Sequence, residues 1–537
     1  MNFTSQIIPG SDAFTENRRA MLALVDELRG LEQRAADLSE RRRDRMEARG
    51  QMTPRDRLAA LLDPGLPFLQ LHSLASYLTD SDDPAQSVPG ASLLIGIGFV
   101  SGTRCMIIVD DSCIKAGAMS EMSAAAFQSA QVIALRQKLP FLHLVESAGA
   151  NLMDYRVDLW AHGGKLFRNL ARLSAAGIPN LAVLHGPSTA GGAYMPGLAD
   201  YVIGVRGNGM AALAGAALVQ AATGEAADER ELGGAEMHAS VSGLVEYLAG
   251  DDAEAITIAR DVVARLDWNR SLTRSDHGAA PLHTPDELAG AVPVDPRTPY
   301  DMREIALRIT DASDFRDFKP GYGVATVCLQ GSICGMPAGM IGNNGPIDPD
   351  GAAKAAQFIQ LCGQAGTPLV FLHNTTGFMV GTRYEQAGMI KHGAKMIQAV
   401  TSVDVPRIAL YVGASFGAGN YGMGGYAYEP DFLFAWPNAT TGVMGGAQAA
   451  STMEMVARAG AQRRGEDVDE ARLAQQSRRI AEHFDRQAGA FYTSGRCLDH
   501  GVIDPRDTRR VLGFCLTTCL EARARQVRRG SYGVARF

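Results

Sequence analysis

The sequence predicts an α/β protein made of two tandem copies of one strand–helix unit. Three observations predict it. The first is that the 537-residue chain repeats itself. Pro140 and Pro368 are 228 residues apart, and Ala190-Gly191-Gly192 and Gly417-Ala418-Gly419 are 227 apart, as are Tyr194 and Tyr421. The pairs Asp200/Asp431 and Gly215/Gly446 are 231 apart. Second, short apolar runs alternate with helical patterns inside each copy, the order that builds parallel-rich sheets. Third, a glycine-rich stretch almost without charge stands at the same place in each copy: HGPSTAGGAYMPGLAD from His185 and GASFGAGNYGMGGY from Gly413. A repeat at such a period is read before any local pattern, because it sets the number of domains.

The elements follow in chain order. Residues 15–49 are dense in charge and read as a solvated packing helix. In the first copy an apolar strand precedes the helix MSAAAFQSAQVIALRQK, and KLPFLHLVESAGA reads as a buried strand opened by Pro140 and closed by a glycine turn. GGKLFRNLARLSAAG is an amphipathic helix, and the strand NLAVLHG runs into the first glycine stretch. The join lies in the polar, proline-bearing segment 271–300, which puts the domains at 1–285 and 286–537. The second copy repeats the order with DGAAKAAQFIQLCGQ, GTPLVFLHNTTGF, AGMIKHGAKMIQAV and RIALYVG. Residues 466–530 are Arg-rich and read as surface helix.

Composition narrows the function. The net charge of −7, from 51 basic and 58 acidic residues, argues against nucleic acid as a partner. Eight cysteines without a CxxC pair suit a reduced, cytoplasmic protein, and Cys515 and Cys519 share a helix face as core residues. The longest apolar runs, such as LLIGIGFV, are too short to span a bilayer, and the first residues do not read as a signal peptide. No His/Cys cluster has zinc spacing, so no metal is expected.

Glycine at a strand end lets the backbone approach a ligand closely. Where such a strand enters a helix, the first N–H groups lack intrahelical partners and form an oxyanion site. Two matched stretches therefore suggest two such sites, with the main chain supplying the chemistry. Close helix–sheet packing is the plainer alternative. GASFG also matches the G-x-S-x-G nucleophile pattern, with Ser415, Asp431 and His483 or His500 in suitable chain order. GAGNYG matches a dinucleotide fingerprint, but both patterns are short in a glycine-rich chain.

Several further motifs carry a family resemblance: MTPRDRLAALLDPGLPFLQL, STAGGAYMPGLADYV, LAGAALVQAATGE, IGNNGPI, NTTGFMVG, GAGNYGMGG, WPNATTGVMGG and GVIDPRDTRRVLG. They resemble the carboxyltransferase β subunits of biotin-dependent acyl-CoA carboxylases, over nearly the whole chain. GFMVG and GAGNYGM resemble the branch acting on 3-methylcrotonyl-CoA or geranyl-CoA. The resemblance implies two crotonase-like domains of β-β-α superhelix, with the active site between the N-domain of one subunit and the C-domain of another. It implies a β hexamer, within an α6β6 assembly, whose separate α subunit carries the biotin. By the same resemblance, the Gly191 and Gly192 amides stabilise the acyl-CoA enolate, while Ala418 and Gly419 serve the ureido oxygen of biotin. Lys115, Ala190, Phe378 and Gly417 fall beside coenzyme A and biotin, and Gly163, Gly164 and Tyr194 along the acyl pocket.

The chain departs from that family at Ala216-Ala217, at IKAG (Ile114–Gly117) and at Ala447. Methylcrotonyl-specific relatives carry a phenylalanine where HGGKLF has Gly163. The lost ring favours a longer chain, geranyl-CoA, over methylcrotonyl-CoA. A stand-alone crotonase-type hydratase or isomerase is the alternative of another class. It needs a carboxylate base, for which Glu146 is the candidate. A scaffold without catalysis is the third reading.

Overall fold

The computed structural model describes residues 3–149, 156–269, 278–295, 297–465, 467–530 and 533–534. By internal contacts the chain divides into two compact units. One holds residues 1–28, 274–494 and 498–517; the other holds 29–273, 495–497 and 518–537. Both ends of the chain thus return to the unit built mainly from the opposite half.

In the unit of the first copy, strands β1 (Leu69–Leu71), β2 (Leu93–Val100), β3 (Thr103–Asp110), β4 (Phe141–Ser147), β5 (Asn180–Thr189), β6 (Tyr201–Val205), β7 (Met210–Ala212) and β8 (Tyr247–Ala249) make one sheet. Its order is β1-β2-β3-β4-β5-β6-β8, with β7 on the far end of β5. The second unit has β9 (Phe315–Asp317), β10 (Thr326–Ile333), β11 (Met336–Asn343), β12 (Leu369–Thr375), β13 (Arg407–Phe416), β14 (Phe432–Ala435) and β15 (Thr440–Gly442). Its order is β14-β13-β12-β11-β10-β9, with β15 on β13. The sequence repeat is therefore a structural repeat.

Each copy opens with an antiparallel hairpin, β2–β3 and β10–β11, where the sequence suggested a single apolar strand. The two-residue turns explain it. Ser101-Gly102 and Cys334-Gly335 both have positive φ at each residue, the conformation that matches strand twist in tight hairpins. After the hairpin the pairing turns parallel, from β3 to β4 to β5 and from β11 to β12 to β13. The crossovers are helices Glu121–Gln137 and Pro349–Ala365, then Val157–Ala175 and Met389–Ser402. Ser120 and Asp348 cap the first pair with side-chain oxygens, which sets where each begins.

The core of the first unit gathers Val109, Leu142, Leu144, Val183 and Ile203 of the strands against Ala255, Ala259 and Val263 of helix Asp252–Arg265. Two expectations change. Helix Asp12–Glu40 is not merely solvated: Met21, Val25, Leu28, Leu31 and Ala35 are buried at helical spacing and form one apolar stripe. Helix Thr508–Ala524 is core rather than surface: Cys515 and Cys519 are buried on one face, as their spacing suggested, and Val511, Leu512 and Leu516 are buried with them. The arginines there masked an apolar face. Helix Glu470–Ala488 does stay at the surface, with Leu473 its one buried residue. Among the described residues no helix is long and apolar enough to cross a membrane.

A buried carboxylate gives the fold a pH signature. Asp499 is fully buried and accepts the Gly501 N–H at 2.9 Å. Burial pushes its carboxyl up to about 7. An unfolded aspartate titrates near ~3.9. Between these values the folded chain keeps a proton that the unfolded chain has lost, so this group makes stability fall as pH rises from about 4 through about 7. Asp499→Asn is expected to remove that slope, on the order of 1.4 kcal/mol per pH unit. Urea midpoints of both proteins between pH 5 and 8 check it; parallel curves would refute the assignment.

Candidate active site

Each glycine stretch begins where a central strand leaves its sheet. The first part of β5 pairs with β6 and its last three residues pair with β7; β13 divides in the same way between β14 and β15. The neighbouring strand breaks register at the matching place, between Val145 and Ser147 and between His373 and Thr375. Ser188 and Ser415 thereby come opposite Ser147 and Thr375.

The chain then turns abruptly. Ala190 has φ +54 and Gly417 has φ +56, left-handed values at corresponding positions. Glycine takes this conformation freely, whereas alanine is strained in it. After the turn come a 3-10 helix, Ala190–Ala193, in the first copy and helix Gly417–Gly422 in the second. Neither start has a side-chain cap. The amides of Gly191, Ala418 and Gly419 thus lie in first turns ahead of any intrahelical acceptor, while Gly192 stands where the 3-10 helix makes its first bond back to Thr189. Position 419 admits nothing but hydrogen: a Cβ there would lie 2.8 Å from Gly377 Cα and 3.1 Å from Thr375 Cγ2. The two turns share a design, and among the described residues the second is approached this closely by a neighbouring loop.

The other residues singled out in the sequence take these positions. Tyr194 and Tyr421 are 48% and 46% exposed. Tyr194 meets Phe167 edge-on at 5.6 Å, and Tyr421 meets Tyr428 at 5.7 Å. Gly163 and Gly164 lie in helix Val157–Ala175, and a Cβ at either would meet nothing within 4 Å. Gly163 is one turn before Phe167, whose Cζ lies 3.5 Å from a Cβ built on Gly191. The helix face bearing Gly163 therefore leads toward the first glycine turn. Phe378 is half-buried, its ring against Gly393 and Gly422. Lys115 has φ +50 and is largely exposed, its Nζ 3.0 Å from Asp80. Ala116 follows at φ +55, so the alanine of IKAG sits in a left-handed position.

Two readings fail on geometry. Ser415 has no triad. Its hydroxyl is fully buried beside His373 and Asn420, Asp431 accepts the Arg407 N–H at 2.9 Å, and His500 Nδ1 accepts the Leu433 N–H at 3.1 Å. His483 bonds to Gln487 on an exposed helix. Nor is Glu146 placed as a general base. It is buried and held by the Arg57 guanidinium, which also reaches Asp252 at 2.9 Å. His185 donates from Nδ1 to Asp252 at 2.7 Å. Burial, reinforced by Arg57, lowers the basicity of His185 and keeps it neutral. Asp252 is also desolvated, yet the bond from His185 and the nearby Arg57 hold it below the usual carboxylate range. This cluster braces the strand that ends in the first glycine turn. Arg57 and Asp252 carried no chemical signal in the sequence, because their partners are 89 and 195 residues away.

The carboxyl transferase domain family matches residues 45–530. The chain belongs to the carboxyltransferase family. A probable biotin-dependent acyl-coenzyme A carboxylase beta2 subunit of Mycobacterium tuberculosis is 46% identical over 515 residues, 96% of each chain. A methylcrotonoyl-CoA carboxylase beta chain of Arabidopsis thaliana is 40% identical, covering 97% of this chain and 90% of its own length. The crystal structure of the P. aeruginosa geranyl-CoA carboxylase beta subunit superposes with a TM-score of 0.94 at 48% identity, covering both chains fully. The carboxyltransferase thus has the crotonase-like α/β fold of these subunits, and it is an enzyme of biotin-dependent acyl-CoA carboxylation.

Proposed function

We propose that this carboxyltransferase moves CO2 from carboxybiotin to the γ-carbon of a branched enoyl-CoA, with geranyl-CoA as the substrate. The observation that carries the substrate is the open face at Gly163, one turn from the ring that touches Gly191. The full-length likeness to a geranyl-CoA carboxylase β subunit supports it. Methylcrotonyl-CoA is the second reading, favoured by relatives 40% identical that are methylcrotonyl-CoA carboxylase β subunits.

The first turn serves the acyl-CoA. The amides of Gly191 and Gly192 donate to the thioester oxygen as a proton leaves the acyl chain, stabilising charge where it develops. Phe167 and Tyr194 flank that turn with ring surface suited to an apolar chain. The second turn serves the biotin: its uncapped start and its fixed backbone at Gly419 suit an anionic oxygen. Carboxybiotin supplies the CO2 and, once decarboxylated, the base. Ala418 and Gly419 donate to its ureido oxygen, with Gly417 and Phe378 shaping the approach. No side-chain base is then required, in keeping with the ion-paired Glu146. Lys115 is assigned to coenzyme A, in exchange for Asp80.

We assign the biotin to a separate α subunit in an α6β6 assembly in the cytoplasm, since the sequence contains no Met-Lys-Met biotin acceptor. The purified chain is expected to give no signal on avidin blotting and no ATPase activity; a stoichiometric biotin signal would overturn this division of labour. We likewise keep the division of roles at 285/286, with the acyl-CoA side before it and the biotin side after.

Gly163→Phe tests the substrate. Each methylene in a fitted pocket is worth about 1–3 kcal/mol, so a ring intruding on a longer chain is expected to lower the geranyl-CoA to methylcrotonyl-CoA ratio of kcat/KM by roughly tenfold or more. An unchanged ratio would remove position 163 from the pocket.

A further inference from the structure

The two glycine turns differ in what lies beneath them. Under the second runs a chain of four polar side chains. Asn420 Nδ2 donates to Ser415 Oγ at 2.8 Å and to Tyr411 Oη at 3.0 Å. Ser415 Oγ is 2.9 Å from His373 Nδ1. The Tyr411 oxygen also accepts the Tyr426 N–H at 3.2 Å, and the Tyr411 ring meets His373 edge-on at 4.8 Å. Burial pushes His373 down to about 3, so it is neutral at any working pH. With Asn420 donating to it, the serine hydroxyl turns its own proton to His373 Nδ1, which fixes every member in one orientation. The turn is shaped to admit the asparagine: a Cβ on Gly425 would lie 2.1 Å from Asn420 Oδ1.

The first copy lacks this chain. At the repeat offset, His373 corresponds to Val145, Tyr411 to Leu184 and Asn420 to Ala193. Val145 and Leu184 are buried and apolar, and the one polar counterpart, Ser188, has no hydrogen-bond partner among the described residues. Duplication gave both halves the same turn, yet among the described residues the Asn420–Ser415–His373 chain has no counterpart in the first copy, where the Arg57, Glu146, His185 and Asp252 cluster braces the strand instead. Buried hydrogen bonds linked in this way give rigidity and a unique arrangement rather than binding energy.

We propose that Asn420, Ser415 and His373 are positioning residues for the second turn. They hold the amides of Ala418 and Gly419 aimed at the oxygen that gains charge, so that no reorganisation is needed at that moment. Asn420 lies in the same short helix as Ala418 and Gly419, so anchoring its side chain restrains the turn that carries both amides. The proposal rests on the assignment of this turn to the biotin side.

The test uses the assembled carboxylase carrying Asn420→Ala, which restores the first copy's residue, or Ser415→Ala, with Ser188→Ala as the matched control. Four quantities are measured: kcat for acyl-CoA carboxylation, acyl-CoA affinity by calorimetry, bicarbonate-dependent ATP turnover without acyl-CoA, and Tm. Asn420→Ala and Ser415→Ala are expected to lower kcat and the acyl-CoA-independent turnover by about ten- to a hundredfold, with affinity changed by less than about twofold. Ser188→Ala is expected to change none of the four. Unchanged kcat in both variants overturns the proposal, as does a parallel loss of kcat, acyl-CoA affinity and Tm, the mark of a merely structural role. An equal loss in Ser188→Ala overturns it too. Gly419→Pro separates the levels. If it abolishes acyl-CoA-independent turnover while Asn420→Ala does not, only the positioning role falls. If Gly419→Pro also leaves that turnover intact, the biotin-side assignment itself is wrong.

Discussion

Gly419→Pro is expected to abolish carboxyl transfer while leaving acyl-CoA affinity intact. Proline removes the amide of position 419, and a single lost oxyanion donor costs about 10²–10³-fold in kcat. The position lies in the first helical turn, where proline breaks no intrahelical bond. The ring also collides with Gly377 and Thr375, which a Cβ alone would approach to 2.8 and 3.1 Å. Gly419→Ala keeps the N–H but not the space, so it is expected to lose most activity as well. Gly192→Pro gives the complementary result: enolate formation is impaired, measured as exchange of acyl-chain protons with deuterated water. If Gly419→Pro retains near-normal kcat, backbone amides at that turn do not carry the reaction.

Arg57→Met is expected to be the most destabilising single substitution in the first unit. Arg57 is 1% exposed and pairs with two buried carboxylates, Glu146 and Asp252. Removing the one cation leaves both anions uncompensated, and breaking a buried pair costs about 3–5 kcal/mol. The triple variant Arg57→Met, Glu146→Gln, Asp252→Asn removes the charges together and is expected to recover much of the loss. Chemical denaturation at pH 7 reads both effects. Asp252 adds a pH dependence of its own. Its folded pKa lies below the unfolded value, so its stabilisation is present above the ordinary carboxylate range and lost as pH falls through the lowered value. A small effect of Arg57→Met, with no recovery in the triple variant, would mean that the cluster does not brace the first turn.

Sequence alone was enough for the duplication, the α/β class and the two glycine turns. Each depends on something the chain carries locally: a residue type at a fixed offset, an apolar period, or a glycine where only glycine fits. Gly417 and Gly419 are legible in this way, because a left-handed φ and a 2.8 Å approach each exclude most side chains. The family resemblance supplied the expected roles of those turns, which stand as proposals. The opening hairpins were half-legible: their apolar strands were visible, but two-residue turns built on Ser101-Gly102 and Cys334-Gly335 hid the reversal.

Only the tertiary structure decided which buried polar groups pair. Arg57 reaches across 195 residues to Asp252, and His373 across 42 to Ser415. Neither separation is a period of a helix or a strand. Helix Thr508–Ala524 was legible in part: the spacing of Cys515 and Cys519 showed a core face, while its arginines hid how far that face extends, to Val511, Leu512 and Leu516. A buried charge or hydroxyl is stable only where a partner meets it in three dimensions. That meeting depends on sheet order and register, which no local stretch of this chain encodes.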